Sequence, residues 1–259
     1  MAIDERLVGA LHLQSMSAAD LDRERRSPHE TFQTSTIAAL LDGAYDGDVT
    51  FAELAERGDF GLGTLDGCDG EMIAIDGSFL RADVEGRLHP VPPEARTPFA
   101  VVTRFRPVHT VELAGPLSDE EVRRAIDAAV GHGERVHAIR IEGSFAAVRA
   151  RSVPRQHPPY RPLAEVIGEQ HVFELGALEG TAAGFRFPDA AGGLNVPGYH
   201  LHFASADRSR GGHLLGFRLA KGTAQVDDSV DVHLELPAGV ELPAGGAAAA
   251  DLRRVELEG

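Results

Sequence analysis

At 259 residues, with 43% hydrophobic and 25% charged residues, the chain has an ordinary globular composition and can bury one large core or two smaller ones. A formal net charge of −15 speaks against general nucleic-acid binding, which needs a basic footprint. Cys68 is the single cysteine, so no intramolecular disulfide can form, and no apolar run approaches the roughly 20 residues that span a bilayer. The opening MAIDERLVGALHLQS has no basic segment followed by an apolar one, so no signal peptide is read there. A soluble cytoplasmic protein is the expectation. The 29 glycines and 15 prolines favour turns and short strands over a helical bundle.

Residues 1–30 read as a polar lead-in. Thr36 is placed to cap a short helix through Leu41, with Ile37, Leu40 and Leu41 on its apolar face. Thr50 precedes a second short helix, FAELAER, which Gly58 ends. Met72 to Ile75, Asp76-Gly77 and SFLRADV spell a β-hairpin with Glu71 at its head. A glutamate at a strand entrance is ordinarily a solvated turn residue and matters only beside other functional groups. TPFAVVTRF reads as a strand. LSDEEVRRAIDAAVGHG is the clearest helix: Ser118 and Glu121 make a capping box, and Val122, Ile126 and Val130 form its stripe. ERVHAIRIEGSFAAVRARSVPRQ reads as two strands joined around Gly143, with Arg151 at the end of the second, a surface residue or an anion clamp. The proline-rich RQHPPYRPL is expected to be an extended linker between subdomains at 1–155 and 156–259.

The most distinctive stretch is NVPGYHLHFASADRSRGGHLLGF, residues 195–217. In a strand, residues two apart share a face, so His200 and His202 project together. A turn over SADRSRGG then returns the chain and brings His213 alongside. Three neutral imidazoles with a position left for substrate suit a catalytic zinc; the bland reading is two surface histidines and one in a turn. His233 alternates onto a polar face and is left out. The remaining histidines (His12, His29, His89, His109, His132, His137, His157 and His171) read as surface or turn residues, and Cys68 as structural. Residues 237–250 read as a low-complexity loop before a short acidic tail.

Taken together, FQTSTIAALLDGAYDGDVTF, GLGTLDGCDGEMIAIDG, TPFAVVTRF, AIRIEGSF with RSVPRQ, and the histidine stretch resemble the α-acetolactate decarboxylases in content and order. The resemblance implies a β-rich α/β fold of two subdomains with mixed sheets and a few short helices, dimerising through the N-terminal sheet. It implies a zinc ion held by His200, His202 and His213, with Glu71, Arg151 and Thr64 lining the same pocket. The family also returns a tail glutamate to the site, here Glu256, with Glu258 as the alternative. The implied activity is that of a carboxy-lyase: acetolactate loses carbon dioxide, zinc stabilises the enediolate that remains, and an acid protonates it. Arg151 would orient the carboxylate or the enediolate oxygen, and a buried glutamate, Glu71 first and Glu256 beside it, would supply the proton. No nucleic-acid or membrane partner is implied.

Other readings differ in what they require. A carbonic-anhydrase-like lyase could also use three histidines on zinc. A cupin usually has a glutamate between its second and third histidines, where residues 203–212 hold only Asp207. A non-catalytic metal-binding relative would keep the histidines without needing Glu71, Arg151 or the tail.

Overall fold

The computed structural model describes residues 29–131 and 135–241. The first part contains β1 (Glu30–Thr34), α1 (Ile37–Leu41), β2 (Val49–Thr50), α2 (Phe51–Arg57), β3 (Phe60–Thr64), β4 (Glu71–Ile75), β5 (Ser78–Ala82), β6 (Leu88–Pro90), β7 (Arg96–Thr97) and β8 (Ala100–Thr103). There follow β9 (His109–Ser118), α3 (Asp119–Val130), β10 (His137–Ser152), α4 (Leu163–Val166), β11 (His171–Leu175), β12 (Leu178–Phe187), β13 (Gly198–Ser205), β14 (Gly211–Asp228) and β15 (Asp231–Glu235). One seven-stranded sheet has the order β15-β1-β8-β3-β4-β5-β6 and is mixed, because β15 runs parallel to β1. The other has the order β11-β10-β12-β13-β14-β9; β14 also pairs with β10, so β10, β12, β13 and β14 close into a small antiparallel ring. The fold is thus β-rich with few, short helices, as expected.

The first sheet is buried on both faces, which is why EMIAI and FAVV read as continuous apolar text rather than alternating. Phe60, Leu62, Ile73, Ile75 and Val101 pack toward the ring, with Ala183 and Phe185 of β12. Met72, Ala74, Ala100 and Val102 pack the other way, under Phe51 and Leu54 of α2. By strand parity Thr64 and Glu71 belong to the ring-facing side. The ring has its own interior of Ile139, Ile141, Phe145, Phe203, Phe217 and Leu219, closed on the outside by Val122 and Ile126 of α3.

The capped helices form as their sequences dictate: Thr36 caps α1, and capping boxes close the N-termini of α2 (Thr50, Glu53) and α3 (Ser118, Glu121). Three features differ from the sequence reading. The segment 137–152 is one 16-residue strand and not two. Gly143 is no turn; it lies against β14, where a Cβ would sit 2.2 Å from the Lys221 carbonyl oxygen. Gly143→Ala should therefore destabilise the protein by about 1–3 kcal/mol through overpacking, read as a lower denaturant midpoint. Second, a strand for which no expectation stood, β1, fills the interval between the lead-in and α1. Its buried polar residues hide it in the sequence, yet Gln33 Nε2 donates to the Leu194 carbonyl and accepts, through Oε1, from Asn195.

Third, the sheets do not divide the chain at residue 155. β9 and β10 precede it and lie in the ring sheet, while β15 follows it and returns to the first. The proline-rich tract is packed rather than bridging: Gln156 N–H donates to Gly67 O at 2.7 Å, and the Tyr160 ring meets Tyr45 edge-on. In β15, Val230 and Leu236 at the borders are exposed, and His233 packs edge-on against Phe32. Among the described residues no helix is long and apolar enough to cross a membrane.

Candidate functional site

Strand parity and register build the site. Along β13, Leu201 and Phe203 enter the ring interior, so His200 and His202 turn toward the first sheet. The turn that follows is pinned by Asp207, whose carboxylate accepts from Ser205 Oγ and from the backbone and hydroxyl of Ser209; these bonds hold its pKa down to about 2. The returning strand places His213 directly opposite His202. In the same way β10 sets Arg151 opposite His213, and the β3–β4 hairpin sets Thr64 opposite Glu71.

The three imidazoles are buried, with ring centroids 5.1–5.2 Å apart and one nitrogen from each within 4.8 Å of the others. Burial pushes all three below the ordinary histidine range, His200 to about 3, and the positive charge of Arg151 pushes the same way. They are therefore neutral, as ligands must be. His202 Nδ1 lies 2.8 Å from the Met72 carbonyl, which can only accept, so that nitrogen carries the hydrogen. The lone pair of His202 Nε2 then faces His213 Nδ1 at 3.3 Å. A backbone carbonyl fixing the tautomer is the usual outer support of a metal-bound histidine. His200 Nδ1 is buried with no hydrogen-bond partner among the described residues. This donor set fits a divalent cation such as zinc.

Beside the histidines lies a buried acid–base pair. Arg151 Nη1 donates to Glu71 Oε1 at 3.0 Å, and Glu71 Oε2 is 3.5 Å from His202 Nε2. All five side chains border one recess. Thr64 borders it too, but its hydroxyl donates to the Gly70 carbonyl at 2.7 Å, so toward a ligand it can only accept. Glu256 and Glu258 lie outside the described residues.

Some of the surroundings were not legible. Cys68 forms part of the wall; burial, and then Glu71, push its thiol up to about 12, so it stays protonated. Ile37, Leu40, Phe99, Val153 and Leu163 supply an apolar side to the recess, and nothing in their spacing marks them. The Met72 carbonyl, being backbone, leaves no sequence signal. His137, expected at the surface, is buried, with Nδ1 2.9 Å from Asp228; it stands apart from the three-histidine group.

The sequence profile of the alpha-acetolactate decarboxylases matches residues 31–242, a span that includes the histidines, Glu71 and Arg151 and stops before the tail. The chain is 44% identical over 237 residues to the alpha-acetolactate decarboxylase of Methylococcus capsulatus, covering 92% of this chain and 91% of that one. It is 41% identical over 207 residues to the Klebsiella aerogenes enzyme of the same name, covering 80% of each. The crystal structure of alpha-acetolactate decarboxylase from Bacillus subtilis strain 168 superposes with a TM-score of 0.83 at 34% identity, over 88% of this chain and 99% of that one. With sequence profile, relatives and fold in agreement, the chain belongs to the alpha-acetolactate decarboxylase family of carboxy-lyases.

Proposed function

We propose that the chain removes carbon dioxide from 2-acetolactate to give acetoin, with His200, His202 and His213 holding a zinc ion. The observation that carries this reading is the meeting of three neutral, buried imidazoles with the Glu71–Arg151 pair in one recess of a member of this family. When bound, the cation supplies Lewis acidity toward the keto and hydroxyl oxygens of the substrate, where negative charge gathers as the carbon–carbon bond breaks. Arg151 carries a planar fork suited to a carboxylate and orients that of the substrate before it leaves. The apolar side of the recess excludes water, which strengthens each of these electrostatic contacts. Loss of carbon dioxide leaves an electron pair that spreads into the neighbouring ketone, and one proton must then be added at carbon. Glu71, a carboxylate while it pairs with Arg151, takes up a proton from solvent and delivers it to that carbon, with Glu256 as its partner.

The direct test is to incubate the purified protein with racemic 2-acetolactate and measure acetoin, before and after chelation and again after zinc is returned. Acetoin should form, stop with the chelator and resume with zinc. Metal-loaded, folded protein that makes no acetoin overturns the proposal. A cytoplasmic location and a homodimer formed through the N-terminal sheet belong to the same reading; light scattering should give about twice the 27.6 kDa chain mass.

A further inference from the structure

The apolar side of the recess is made in two ways. Phe99 and Val153 adjoin the sheet strands β8 and β10, and Gly63 in β3 admits no side chain, since a Cβ there would lie 2.4 Å from the Phe99 carbonyl oxygen. That part of the wall is fixed by the sheet backbone. Leu40 and Leu163 come instead from α1 and α4, helices of five and four residues packed against each other. They keep 6% and 5% of their surface accessible, against 3% for Ile37, 2% for Val153 and 1% for Phe99, so they are the least buried of the apolar lining residues.

The substrate divides in a matching way. A 2-hydroxy-3-keto acid has oxygens on three adjacent carbons, and all of them need the cation site, Arg151 or Glu71. Its two alkyl groups, one on C2 and one on C3, are left to face the apolar side. We propose that Leu40 and Leu163 together limit the size of those alkyl groups and so select among 2-alkyl-2-hydroxy-3-keto acids. This rests on the decarboxylase reading above and adds to it the residues that set substrate size. In an apolar pocket one methylene changes discrimination by roughly 10- to 200-fold, so removing a leucine branch at this wall should register clearly.

The test compares kcat/KM for 2-acetolactate and for its homologues with ethyl and propyl in place of the C2 methyl. It uses the zinc-loaded wild type and the variants Leu40→Ala, Leu163→Ala, Leu163→Val and Leu163→Phe. Each alanine variant should raise the ethyl-to-methyl and propyl-to-methyl ratios at least about tenfold, Leu163→Val should raise them less, and Leu163→Phe should lower them. A ratio taken within one variant cancels any loss of folded or metal-loaded enzyme, so a merely structural role would not move it. Should the alanine variants fail to fold, the valine and phenylalanine pair still reads the effect in both directions. Ratios unchanged across the folded variants overturn the size limit. A wild type that decarboxylates none of the three acids overturns the decarboxylase reading instead.

Discussion

His202→Ala should reduce bound zinc from about one ion per chain to nearly none and take acetoin formation to background. The site has three neutral nitrogens and, among the described residues, no other cluster that could hold the ion, so losing one ligand leaves two. His202 also donates to the Met72 carbonyl, and that bond disappears with it, costing about 1 kcal/mol apart from the cavity left behind. His200→Ala separates metal from stability. His200 Nδ1 has no hydrogen-bond partner among the described residues, so its loss should remove the zinc just as fully while destabilising the metal-free protein less. Zinc content and urea midpoints of the metal-free proteins check both halves. A His202→Ala protein that keeps stoichiometric zinc and near-normal turnover would remove these histidines from the chemistry.

The histidine hairpin was legible because its logic is local. A two-residue spacing fixes a shared face in any strand, and a polar, glycine-containing segment makes the turn that brings His213 back. The capped helices were legible for the same reason, Ser118 and Glu121 being three residues apart. Glu71 and Arg151 were ambiguous because their meaning depends on how two sheets face each other. Only the parity of β4 and the pairing of Arg151 with His213 turn a strand-end glutamate and a strand-end arginine into one buried pair. Gly143 misled because a glycine that permits a turn and a glycine that permits close strand approach look alike in sequence. β1 was missed because its buried glutamine is satisfied by partners far along the chain, which no local pattern announces, and because Thr31 and Thr34 bury hydroxyls that have no hydrogen-bond partner among the described residues. The Leu40–Leu163 wall is non-local in the same sense.

Glu71→Gln should lower kcat about a hundredfold or more while leaving zinc content and KM close to those of the wild type. Glutamine has the same shape, and its carbonyl oxygen can still accept from Arg151 Nη1, now 3.0 Å from Glu71 Oε1, so the arginine keeps its place. What the amide cannot do is surrender a proton to carbon. The choice of substitution decides whether the result can be read. Glu71 and Arg151 side chains are only 9% and 5% exposed, and breaking a pair that deeply buried by Glu71→Ala costs about 3–5 kcal/mol, because the buried arginine loses that carboxylate. A slow alanine variant would therefore confuse loss of the acid with loss of the fold, whereas a slow glutamine variant with an unchanged melting temperature would not. Single-turnover measurements sharpen the distinction: with Glu71→Gln, carbon dioxide release should outpace acetoin formation, since bond breaking precedes the proton transfer. If kcat is unchanged at full zinc occupancy, Glu71 is not the donor. Glu256→Gln is then the variant that should carry the hundredfold loss.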